Sequence, residues 1–172
     1  MYSKKGFFII CLVIVSALLI TGCLPTTTVT TPEMYFTFDS TTGTITGYNI
    51  AGGLDVVIPS TIGGVAVEHI GLDAFYEKYL TSVIIPDSVT SIGEWAFGIN
   101  LLTSVTIGNG VTSIDYWVFA PNPLTSVTIG ADVGINSDPA TMGTNTGFKT
   151  VYDGGGKLAG TYNYTGGVWV KV

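Results

Sequence analysis

The heptapeptide "LTSVTIG" stands at 102–108 and again at 124–130, with a near copy, "LTSVIIP", at 80–86. The interval is 22 residues, and other positions keep it: Val83, Val105 and Val127; Ile85, Ile107 and Ile129; Ile70, Ile92 and Ile114; Phe75, Phe97 and Phe119. A constant period of this length marks a solenoid. Each unit winds one coil, and a coil buries its apolar side chains only against its neighbours. The unit reads L-T-S-V-x-I-[PG]-x-x-V-x-x-I-x-x-x-[AV]-F. Its two apolar-polar stretches have strand length, ~15–20 Å at most, and coils stacked ~4.8 Å apart merge their inward residues into one core.

The same register sorts the outward residues. With Leu, Val and Ile facing in, Ser82, Ser104 and Ser126 form one outer column, and Ile84, Thr106 and Thr128 form the next. Such a ladder of short hydroxyls is either a flat face for an ordered surface such as a polysaccharide, or soluble strand-compatible filler. Trp95 and Trp117 lie one period apart on the turn before "AF" and "VF", with Tyr76, Tyr79, Glu94 and Tyr116 near them in sequence. An exposed aromatic row stacks sugar rings or anchors a partner protein. A covered row would only join one coil to the next, and both readings stay open.

Composition bounds the alternatives. A chain of 172 residues with 47% hydrophobic and 10% charged residues is long enough for one cored domain and too apolar for disorder. Its formal charge is −6 and it contains no arginine, which excludes the clustered cations that nucleic acid requires.

The first residues read as an address. "MYSKK" is basic, "GFFIICLVIVSALLITG" is apolar and ends in small residues, and this is the layout of a secretory signal. "LITGC", Leu19 to Cys23, resembles a bacterial lipobox. That resemblance implies cleavage before Cys23, lipidation of Cys23, and a membrane anchor made by acyl chains. Cys11 would leave with the signal, so the exported domain would hold neither a free thiol nor a disulfide. Four lysines would then face twelve acidic residues.

Little in the chain suits chemistry. His69 is the one histidine and aligns with the outward Ser91 and Ser113. Without a second histidine or a spare cysteine, zinc ligation has no ligand set. "GGGKL" at 154–158 departs from a phosphate loop at Val151 and Leu158, no G-x-S-x-G elbow occurs, and the acids are scattered. The expectation is a protein that is not an enzyme and has no cofactor, metal site or catalytic residue.

The units "VVIPSTIGGVAVEHIGLDAF" (56–75), "LTSVIIPDSVTSIGEWAF" (80–97) and "LTSVTIGNGVTSIDYWVF" (102–119) resemble BspA-type leucine-rich repeats of bacterial surface proteins. The resemblance implies a β-rich leucine-rich-repeat solenoid of stacked parallel short strands, with short helical or 3-10 corner turns and β-hairpin caps. It also implies a surface-exposed lipoprotein that binds host or bacterial surface proteins or glycans in adhesion. Alternatives are an envelope protein that self-associates through its coils, and a glycan-capture lipoprotein that uses the Trp/Tyr row. The expected divisions are a signal peptide at 1–22, a lipidated Cys23 and Thr/Pro linker at 23–33, and a hairpin cap at 34–53. Repeats follow at 54–135 and a capping segment at 136–172. The fourth unit, "IGADVGINSDPATMGTNTGF", is expected to lose the Ile and Ala-Phe positions as a decayed coil.

Overall fold

The computed structural model describes residues 29–172. The expected signal peptide at 1–22 and the lipidation site Cys23 lie outside the described residues. The elements are β1 (Phe36–Asp39), β2 (Thr44–Tyr48), β3 (Asp55–Val57), β4 (Thr61–Ile62), β5 (Val65–Ala66), β6 (His69–Ile70) and β7 (Ser82–Ile85). After them come β8 (Ser91–Ile92), β9 (Ser104–Ile107), β10 (Ser113–Ile114), β11 (Ser126–Ile129), β12 (Gly134–Ile135), α1 (Phe148–Gly154), β13 (Gly160–Thr165) and β14 (Val168–Lys171).

The chain is a β-solenoid with two sheets facing each other across one core. The sheet of short strands runs β1-β2-β6-β8-β10-β12, and the sheet of longer strands runs β14-β13-β11-β9-β7-β3. The longer strands pair in parallel with Ser82, Ser104 and Ser126 in line, and Val83, Val105 and Val127 beside them. Leu80, Leu102 and Leu124 form one column with no exposed surface. Phe75, Phe97 and Phe119 stack with centroids 4.8 and 5.4 Å apart and planes within 19° and 6°. A 22-residue period puts identical side chains directly over one another, so flat rings pack as a column.

A 3-10 segment at Ile50–Gly52 makes the corner between β2 and β3, as the resemblance implies. Turns at 72–77, 94–97 and 116–119 make the corners of the following coils. Alternate N–H groups point in different directions. Those of Asp73, Phe75 and Glu77 donate to Glu94, Ala96 and Gly98 of the next coil, while those of Ala74 and Tyr76 donate back to Gly71 and Asp73. The pattern requires left-handed backbone at Asp73, Trp95 and Trp117, with φ of 55°, 55° and 51°. No right-handed helix continues through such residues.

The fourth coil keeps more than the sequence suggested. It drops one residue, so that Gly134 and Ile135 pair with Ser113 and Ile114, and Ile135 fills the isoleucine column. The Phe119 N–H donates to Thr141, as Phe97 does to Val118, which brings buried Met142 to the end of the phenylalanine stack.

Hairpins cap both ends. In β1–β2, the Asp39 carboxylate accepts from the Thr41 N–H at 2.9 Å and the Thr42 hydroxyl at 3.1 Å, and β2 then pairs in parallel with β6. At the other end β13 runs antiparallel to β11 and turns through Gly166 and Gly167, with φ of 61° and 89°, into β14. That turn demands two left-handed residues, which glycine supplies without strain. Thr31 is buried and hydrogen-bonded to Val57, and Glu33 accepts from the Gly63 N–H, so the end of the expected linker packs on the domain.

Candidate functional site

The corner leading from the short strands to the longer ones carries the aromatic row. The Trp95 and Trp117 rings are half-buried and tilted by 32°, with centroids 5.5 Å apart. Tyr76 meets Trp95 edge-on at 5.9 Å and 86°, and Tyr116 packs on Trp117 at 5.6 Å. Both tryptophans occupy the left-handed position of their coil, which turns each ring along the solenoid axis toward the next. Gly98 lies beneath the rings: a methyl group there would come within 2.6 Å of the Trp95 ring and 3.1 Å of Tyr76.

The row is thus packed on one side and open on the other. Around it Leu72 (62% exposed), Tyr79 (65%), Leu101 (54%) and Tyr116 (44%) stand in solvent. Leu72 and Tyr116 hold one repeat position with Glu94 between them, and Tyr79 and Leu101 hold another on adjacent coils. Asp73, Glu77 and Asp115 lie exposed along the same corners.

The Ser/Thr ladder is in register on the longer strands, with Thr106 exposed and Ser82, Ser104, Ser126 and Thr128 half-buried. Part of it is occupied by the protein itself. Ser82 and Thr81 both donate to the Asp55 carboxylate at 2.6 Å, and Thr128 shares a hydrogen bond with Thr161 of the cap at 2.9 Å. The Ser82 and Thr81 hydroxyls hold Asp55 below the usual carboxylate range.

His69 sits in the short-strand sheet, paired with Ser91, at the head of a groove of about 540 Å³ that also exposes Ser113, Asp115 and Asn136. Its Nδ1 shares a hydrogen bond with the Ser91 hydroxyl at 2.8 Å. The N–H groups of Gly71 and Gly93 on the groove floor already donate to Ile45 and Ile70, so neither is free to stabilise an oxyanion. The groove is open and lined by Ile70, Ile92 and Ile114 as well as by polar groups, and the His69–Ser91 bond joins two adjacent coils of the short-strand sheet. Among the described residues, no group of three or more His, Cys, Asp or Glu side chains is placed to hold a metal ion.

Asn100 and Asn122 are two of the four buried polar residues among the described ones, and neither is among the residues singled out from the sequence. Asn100 accepts from the Lys78 and Leu80 N–H groups at 3.0 Å and donates to the Phe75 and Phe97 carbonyls at 2.8 and 2.9 Å. Their 22-residue spacing stands in the sequence, within "GIN" and "APN", which carry the residue types of ordinary turns.

The fold and this corner define a leucine-rich-repeat solenoid, a scaffold that presents surface from stacked coils. Residues 65–140 match the BspA type leucine rich repeat region, in six copies. The chain is also similar to a leucine rich repeat protein of T. pallidum in crystal form, at 30% identity and a TM-score of 0.47. That match covers 60% of this chain and 55% of the other. No curated protein matches the chain.

Proposed function

We propose that this chain is an envelope-tethered binding protein whose aromatic corner docks a partner protein. The observation that carries this reading is the Trp95–Trp117 pair with the exposed Tyr116 packed on it, on corners that also expose Leu72, Tyr79 and Leu101. Apolar surface repeated over adjacent coils is costly to leave in water, and aromatic anchors ringed by polar groups are what protein interfaces use. The BspA-type repeats support protein binding as the role of the region.

The tether follows from "LITGC": lipid on Cys23 would hold the domain at the envelope, outside the cytoplasmic membrane. Among the described residues no helix is long and apolar enough to cross a membrane. The partner class carried by the family resemblance is host matrix protein or a neighbouring cell's surface protein, and the activity is adhesion.

The test is capture of purified matrix proteins by the full chain in maltoside micelles, set beside a glycan array. The expected result is saturable binding of at least one protein that falls on Trp95→Ala with Trp117→Ala, and on Tyr116→Ala alone. Tyr116 is the cleaner probe because its ring is already exposed. Glycan binding lost with these substitutions, and no protein bound, would overturn the reading in favour of glycan capture.

A further inference from the structure

The aromatic row ends abruptly at its first coil. Trp95 and Trp117 hold one repeat position, and 22 residues before Trp95 that position is Asp73, with the same left-handed backbone. Trp117 covers one side of Trp95. Where a third indole would cover the other, there is instead a recess of about 310 Å³ lined by Asp73, Tyr76 and Trp95. The Tyr76 and Trp95 rings meet edge to face with planes at 86°, and Asp73 lines the remaining side of the recess. Gly98 beneath the rings leaves them room to take these positions.

Two perpendicular ring systems and a carboxylate around a recess are a receptor for a positively charged group. Ring faces attract a cation through their quadrupole, and the carboxylate supplies net charge. Among the described residues the one ion pair joins Lys149 to Asp153, and no lysine lines this recess. Glu77 and Glu94 lie close to Asp73 and Trp95 in sequence and add to the negative field, with Lys78 the single cation on these corners. Perpendicular rings suit a rounded ammonium better than a guanidinium, which stacks flat on one ring.

We propose that the Asp73–Tyr76–Trp95 recess binds an organic cation, and that in the docked complex this is the ammonium of a partner lysine. The inference rests on the docking reading above and names what the partner presents at the first coil. Asp73→Asn is the variant to use, since asparagine tolerates left-handed backbone and removes only the charge.

The experiment is a titration of the full chain in maltoside micelles, followed through the Trp95 and Trp169 indole N–H resonances. The probes are Nα-acetyl-lysine amide, Nα-acetyl-arginine amide, tetramethylammonium and the neutral Nα-acetyl-norleucine amide. Saturable shifts of Trp95 with the lysine amide are expected, with Trp169 and the norleucine arm unmoved, and a loss of about threefold or more in affinity for Asp73→Asn. Equal response to norleucine, or to Asp73→Asn and wild type, would overturn the cation site. Saturation by tetramethylammonium alone would overturn its assignment to lysine. Partner capture lost with Trp95→Ala and Trp117→Ala but untouched by Asp73→Asn would overturn this inference while leaving the docking face standing.

Discussion

Asn122 reaches back one coil to Leu102: its Oδ1 accepts the Leu102 N–H at 2.9 Å. Its Nδ2 donates at 2.9 and 2.7 Å to the carbonyls of Phe97 and Phe119, the rings stacked beside it. The side chain has no exposed surface, and Asn100 repeats the arrangement one coil earlier. Backbone groups left over where the corner meets the longer strands are thereby satisfied without water.

Asn122→Leu removes all three bonds and leaves the Leu102 N–H and the Phe119 carbonyl without this partner, while the Phe97 carbonyl keeps its bond from Asn100. At ~1–3 kcal/mol for each unsatisfied group, partly relieved by relaxation, a loss of about 3–5 kcal/mol is expected. Urea unfolding monitored by circular dichroism measures it. A loss under about 1 kcal/mol would mean that the asparagine column is dispensable.

Gly98→Ala tests how the corner is built. The added methyl meets the Trp95 ring and the Ala120 carbonyl at 2.6 and 3.1 Å, so Trp95 must swing out. The expected cost is about 1–3 kcal/mol, accompanied by a changed Trp95 indole environment in fluorescence or NMR. An unmoved indole would show that the ring does not rest on Gly98.

Tyr152 ties helix α1 to the fourth coil. Its hydroxyl donates to the Gly130 carbonyl at 2.7 Å and accepts from the Val133 N–H at 3.0 Å. Tyr152→Phe should cost about 1–3 kcal/mol at neutral pH. Burial raises this phenol above its usual value of 10.0, so the folded state holds the proton more tightly than the unfolded state. The resulting stability is full below pH 10.0 and is lost as pH rises through the folded value. The phenylalanine variant should therefore show a shallower alkaline loss, reduced rather than abolished because burial also raises Tyr48 and Tyr162.

Asp55 governs part of the acid limb. Hydrogen bonds from Ser82 and Thr81 lower it below 3.8, so it stabilises the folded state above that value and ceases to as pH falls through the folded one. Asp55→Asn should unfold with a shallower dependence between about pH 5 and 2, read from urea midpoints across that range. Asp55 is exposed, so the change is small. An unchanged acid limb would show that the hydroxyl pair does not favour the carboxylate.

The periodicity made the coils legible because identical spacing forces identical placement. Leu80, Val83, Ile85, Ile92 and Phe97 are buried where the 22-residue register put them. Corner chemistry was less legible. A left-handed φ at Asp73, Trp95 and Trp117 has no residue signature, since glycine is absent from the position. The residues therefore do not distinguish these turns from the 3-10 corner at Ile50–Gly52. The fourth coil hid behind a one-residue deletion that breaks the spacing without breaking the fold, leaving Ile135 in its column. The recess at Asp73 was invisible for a related reason: a carboxylate where the repeat has tryptophan reads as a lapse until the ring geometry shows the opening it leaves.

The most direct test compares two faces of the same coils for affinity toward whichever matrix protein the full chain captures. Tyr116→Ala with Leu101→Ser strips the corner, and Ser104→Ala with Thr106→Ala strips the ladder; all four residues are at least partly exposed. With both variants melting like wild type, the corner variant should bind about tenfold more weakly or worse and the ladder variant should bind as wild type does. Full binding by the corner variant, with loss confined to the ladder variant, would place the docking surface on the longer strands and contradict the role assigned to the aromatic corner.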